Sequence, residues 1–126
     1  MLEFEQLKLR LTANEQEIKD LKDAIQYSRL LREIEELEQK AAADGFWDDV
    51  ENSRVVLQKT GKLKNIVESY DKAAASYDDL LVLIEMGDEE GDLSLIGEIE
   101  EAINGFAQDL ANQRLQTLLS GEYDGN

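Results

Sequence analysis

Cysteine, histidine and proline are all missing from this sequence of 126 residues. Without cysteine there is neither a disulfide framework nor a thiolate nucleophile, and without histidine the commonest general base and metal ligand is gone. Catalysis is therefore disfavoured, and the chain is expected to carry no catalytic residue, metal or cofactor. Without proline, no residue breaks a helix by withholding its backbone N–H. Aromatic residues make up only 6%, so the core has to be mostly aliphatic. No apolar run approaches the roughly 20 residues that span a bilayer, and Met1-Leu2-Glu3-Phe4-Glu5 lacks the basic and apolar stretches of a signal peptide. A cytoplasmic protein with no membrane partner is expected. Cations are scarce too: 13 Lys and Arg face 29 Asp and Glu, for a formal charge of -16. The imbalance is uneven, since residues 1–60 are net -5 and residues 61–126 net -11. From residue 68 onward the only cations are Lys72 and Arg114, so this acidic half is not expected to bind nucleic acid directly.

What is abundant is helical periodicity. In a first segment over residues 2–43, Phe4, Leu7, Leu11, Ile18, Leu21 and Ile25 recur at spacings of 3 and 4, with polar Asn14 in the series. The stripe resumes out of phase at Tyr27, Leu30, Ile34, Leu37 and Ala41, which predicts a break near 26–28 with Ser28 capping the new start. A second helix is predicted over 49–86, capped by Asp48, with Glu51 completing a box, and stopped by Gly87. Its seam is Val56, Thr60, Leu63, Val67, Tyr70, Ala74, Tyr77, Leu81 and Ile84. Asp92 then caps a third helix over 93–118, with Ile96, Ile99, Ile103, Phe106 and Leu110 on one face before Gln113 and Thr117 turn the seam polar. No strand alternation is seen. Short connections make neighbouring helices antiparallel, so the expected fold is an all-α antiparallel bundle of three long helices, or four if the first breaks, with coiled-coil-like packing.

The acidic runs Glu33, Glu35, Glu36, Glu38 and Glu98, Glu100, Glu101 lack the Glu-x-x-His partners of a di-iron site and read as solvated faces with pairs such as Glu36 to Lys40. Asp88-Glu89-Glu90-Gly91-Asp92 lacks the order of an EF-hand loop and reads as a solvated acidic turn, with Asp88, Glu89 and Glu90 as candidate interaction residues. Phe46 and Trp47 either plug the end of the bundle or form an exposed anchor for a partner. Tyr70 and Tyr77 hold seam positions, yet their hydroxyls need water or a partner. The seams contain Thr60, Ala74 and Gln113, less apolar than a dedicated zipper, so an intramolecular bundle comes first and weak homodimerisation second.

Two short elements are more specific than the repeat between them: Phe46-Trp47-Asp48-Asp49, and the tail Leu119-Ser120-Gly121-Glu122-Tyr123-Asp124. In this order, and over the whole chain, the sequence resembles the N-terminal domain of the bacterial peptide chain release factor 2 family. Ser120, Gly121, Glu122, Tyr123 and Asp124 correspond to the segment through which family members enter their decoding domain, so 1–118 is expected to be the helical domain and 119–126 the start of that linker. The family's Gly-Gly-Gln and Ser-Pro-Phe motifs are absent here, so the resemblance carries over no hydrolytic or codon-reading residue. It implies a non-catalytic domain in translation termination whose partners are the large-subunit stalk base of the ribosome and the class II release factor GTPase. One departure is Ala43-Asp44-Gly45 before Phe46, where family members often have a proline. The rival reading is a generic coiled-coil adaptor or structural interaction domain.

Overall fold

A computed structural model describes residues 1–120, which form five α-helices and two short 3-10 turns, with no strand among the described residues. The helices are α1 (Leu2–Thr12), α2 (Glu15–Ala24), α3 (Tyr27–Ala41), α4 (Val50–Glu90) and α5 (Ile96–Ser120); the turns are Phe46–Asp48 and Leu93–Leu95. Helices α1 to α3 make one broken arm antiparallel to α4. Phe4 packs at Gly87, the Tyr27 hydroxyl donates to Asp71 at 2.8 Å, and Lys59 pairs with Glu33 at 3.1 Å. Helix α5 runs back along α4, so that Tyr77 and Phe106 bring their rings to 6.2 Å and the Gln113 amide donates to the Ser69 carbonyl at 3.1 Å. The fold is thus an all-α antiparallel bundle. Leu11, Leu30, Ile99 and Leu110 are wholly enclosed at its centre, each stabilising the fold by about 1.5–3 kcal/mol relative to an exposed position.

The out-of-phase stripe has a clear cause. Gln26 takes a left-handed conformation, φ 55°, which ends α2 and turns the chain before α3 begins. Ile18, Leu21 and Ile25 before it and Leu30, Ile34 and Leu37 after it are all buried, so the turn restores the apolar face to the core. Contrary to the expectation from sequence, Ser28 does not cap the new helix; it lies inside α3, whose N-cap is Gln26. A second break, at Ala13 and Asn14, was not foreseen. There the Asn14 N–H bonds back to the Leu11 carbonyl at 3.0 Å and its side-chain amide donates to the Arg10 carbonyl at 3.3 Å, the local competition with helix bonding that Asn offers. Leu11 and Ile18 stay buried on either side, so the arm remains aligned.

Helix α4, about 60 Å long at 1.5 Å per residue, corrects the sequence reading at both ends. Asp49, not Asp48, is its N-cap and accepts from the Asn52 N–H at 3.1 Å, because Asp48 is taken up by the preceding 3-10 turn. Gly87 does not stop the helix, which continues through Asp88, Glu89 and Glu90 to Gly91 at φ 65°. A Cβ on Gly87 would fall 2.7 Å from Cε1 of Phe4, so this glycine serves close packing rather than termination. The buried face of α4 also departs from the expected series: Ala73 and Leu80 are in the core, and Ala74 and Leu81 are half-buried beside it. Asp92 caps the 3-10 turn that leads into α5, its carboxylate accepting from the Ser94 N–H at 3.0 Å.

Candidate functional site

At the tip of the α3–α4 hairpin, the chain turns at Gly45, whose φ of 81° is open to glycine at no steric cost. Glycine thus sets the turn where the resembling family often has proline. The following 3-10 turn gives its two aromatics opposite roles. Phe46 is buried, whereas Trp47 remains 66% exposed and meets the Phe46 ring edge-on at 5.0 Å. The buried Ser53 hydroxyl fixes the turn by donating to the Phe46 carbonyl at 2.6 Å, with the Asp49 carbonyl 2.8 Å away. Of the two readings of this pair, Phe46 takes the core role and Trp47 the exposed one. Val50 beside them is 77% exposed. Sequence reasoning missed Val50, although its position off the seam that begins at Ser53 and Val56 was a usable signal.

The other candidate residues lie at the far end of α4, about 60 Å away along the helix. Asp88 is half-buried and accepts from the Met1 ammonium at 2.5 Å, while Glu89 and Glu90 are exposed in the last helical turn. No basic residue occupies that turn, so its carboxylates sit unfavourably against the negative end of the helix dipole. The Asp88 carboxylate holds the Met1 ammonium above its ordinary range. Val82 and Met86 are exposed on α4 near this end, and Leu93 in the following turn is exposed too. The fold therefore places the candidate residues at opposite poles rather than in one site. Of the tail motif, Ser120 closes α5 with its hydroxyl donating to Thr117 at 3.1 Å; Gly121, Glu122, Tyr123 and Asp124 lie outside the described residues.

Between the poles, side chains join one helix to another. The Tyr27 and Tyr70 rings meet at a tilt with centroids 5.2 Å apart, and Lys22 lies 5.2 Å over the Tyr27 ring. The hydrogen bond to Asp71 raises the Tyr27 pKa, and burial raises those of Tyr70 and Tyr77. Salt bridges cross between helices, Lys64 to Glu38 at 2.8 Å, Lys8 to Glu85 at 3.8 Å and Arg114 to Glu17 at 3.7 Å. A groove of about 290 Å³ runs between α4 and α5 where the seam turns polar, floored by Ile25 and Ile66 and edged by Ser69, Gln113 and Thr117. Among the described residues no helix is long and apolar enough to cross a membrane, and no group of three or more acidic side chains is placed to hold a metal ion.

The chain matches the PCRF domain family over residues 30–126. It is similar to peptide chain release factor 2 of Kineococcus radiotolerans, 35% identical over 117 residues that cover 92% of this chain and 30% of that protein. With peptide chain release factor 2 of Clostridium perfringens strain SM101 it shares 29% identity over 126 residues, 100% of this chain and 34% of the relative. With that of Streptomyces avermitilis it shares 33% over 107 residues, 85% and 29% respectively. The chain spans about a third of the length of these relatives. No solved structure matches it significantly. Phe46-Trp47-Asp48-Asp49 and the described part of the tail both fall inside the family match, and the chain belongs to the PCRF domain family.

Proposed function

We propose that the chain is a non-catalytic domain of a translation termination factor, serving stop-codon-dependent peptide release in the cytoplasm by docking rather than by chemistry. Its membership of the PCRF domain family carries this reading. The proposed docking site is the stalk base of the large ribosomal subunit, with the class II release factor GTPase as second partner, and residues 119–126 begin the link to a decoding domain. Trp47 and the Asp88, Glu89 and Glu90 turn are the proposed contacts, with Phe46 supporting Trp47 from the core.

Charge decides what kind of surface each part can meet. Residues 68–126 are net -13, so their close approach to rRNA phosphates is repulsive. A basic protein surface is the matching partner for that half. Any RNA contact belongs to the first half, around Lys8, Arg10, Lys19, Lys22, Arg29 and Arg32, all of them exposed. Leu115, Leu118 and Leu119 at the end of α5 are exposed, which supports weak homodimerisation of the isolated chain. Surface-binding kinetics with the purified stalk-base protein and, separately, its rRNA fragment test the assignment. Rising salt should slow association with the protein far more than it changes dissociation. Tight binding of naked rRNA through residues 68–126, or association indifferent to ionic strength, contradicts it.

A further inference from the structure

The tip of the α3–α4 hairpin presents a large apolar ring to solvent on a rigid base. Ser120 and Lys62 line the same groove, so α4 continues for 12 residues, about 18 Å, beyond the level of the last described residue of α5. Over that stretch α4 meets α3 and the 3-10 turn, with Lys59 on Glu33 and the Ser53 hydroxyl on the Phe46 carbonyl. Trp47 is the only tryptophan of the chain. Its ring meets buried Phe46 edge-on, and the backbone that carries it is shaped by Gly45 in its left-handed conformation and by the Ser53 hydroxyl on the Phe46 carbonyl. Tryptophan is among the residues that dominate interfaces, and a defined backbone beneath it lowers the cost of presenting it. Val50 extends the apolar surface by one more exposed side chain.

The surroundings of the ring select the partner. Asp44, Asp48, Asp49 and Glu51 lie within four residues of it in sequence, and all are exposed. The nearest cations in sequence are Lys40 and Arg54, and Arg54 is tied to Glu51 and to the Gln58 side chain. Glu51 is paired with Arg54 and Asp49 caps α4, which leaves Asp44 and Asp48 as exposed carboxylates beside the apolar residues; their charge repels phosphates and favours basic groups. We propose that Trp47 and Val50, with Asp44 and Asp48 close by in sequence, form a docking tip that inserts into an apolar cleft bordered by lysine and arginine on a protein surface. This inference rests on the ribosomal reading above and goes further, in naming the anchor and excluding RNA as its occupant.

Because Trp47 is the sole tryptophan, biosynthetic replacement by 7-azatryptophan, which is excited to the red of ordinary tryptophan and of rRNA, lets the chain report its own docking by emission. The chain is titrated with large ribosomal subunits and, in parallel, with protein-free rRNA extracted from them. The subunits should shift the emission of Trp47 to shorter wavelength as the ring leaves water. By co-sedimentation, Trp47→Ala and Val50→Ser should each weaken association tenfold or more, with thermal melts matching the parent since both side chains are exposed. Asp48→Asn should slow association. Subunit binding by the parent that both variants retain overturns the docking tip and leaves the ribosomal reading standing. Equal affinity and an equal shift with protein-free rRNA overturns it in favour of base stacking on the ring. A parent chain that fails to co-sediment with the subunits overturns both readings together.

Discussion

Glycines in the long helices divide by what faces them. Gly61, Gly97 and Gly105 look into open space, whereas Gly87 looks at the ring of Phe4, which is 1% exposed and has no room to retreat. Replacing Gly61 or Gly105 by Ala should therefore stabilise the fold by about 0.5–1 kcal/mol through helix propensity. Gly87→Ala should instead cost about 1–3 kcal/mol through overpacking. Thermal melts of the three variants check the sign, and a gain at Gly87 would show that Phe4 does not seat there. The same comparison separates adjacent leucines. Leu63→Ala and Leu80→Ala, both at core positions, should cost on the order of 2–5 kcal/mol, while half-buried Leu81→Ala costs less. Equal losses at Leu80 and Leu81 would restore the face of α4 expected from sequence.

At the scale of the elements, the start of α4 depends on one carboxylate. Asp49→Ala should destabilise by about 1 kcal/mol through loss of the N-cap, and Asp48→Ala by less than about 0.5 kcal/mol; chemical denaturation of the pair decides which residue caps. Alkaline pH acts on the helix contacts. The pKa values of Tyr27, Tyr70, Tyr77 and Lys64 are all raised in the folded chain, the first by its bond to Asp71, the next two by burial and Lys64 by its bond to Glu38. Each group keeps its proton longer when folded, so its contribution is complete below the ordinary values of 10.0 for Tyr and 10.5 for Lys and is lost as pH rises past them. Melting temperature should fall above about pH 10, and less steeply in Tyr77→Phe.

The sequence made the helices and most of their buried faces readable because one period governs each of them. It did not reveal the shift from Ala74 to Ala73 and from Leu81 to Leu80. Helix α4 meets α3 at Lys59 and Asp71, α5 at Tyr77 and α1 at Gly87, so its buried face turns with the change of partner. The stop expected at Gly87 fails for a similar reason: only the tertiary contact with Phe4 reveals the role of this glycine. In the candidate site, the aromatic pair was visible, but the division of labour between Phe46 and Trp47 depends on a 3-10 turn that periodicity does not encode.

Taken as a whole, the molecule carries 16 more negative than positive charges, and several of its few cations join one helix to another. Added salt screens both these bridges and the general repulsion, but the excess of like charge is the larger effect. Melting temperature should therefore rise with moderate sodium chloride, and a fall would show that the bridges outweigh the repulsion. The same surplus suits the proposed docking on a basic protein surface. The most direct measurement is a stop-codon-dependent release assay on ribosomes programmed with peptidyl-tRNA. The chain alone should release no peptide above buffer background. Added in excess to intact release factor 2, it should slow release by competing for the docking site. Release by the chain alone, or release by the intact factor at an unchanged rate under saturating chain, would contradict the account.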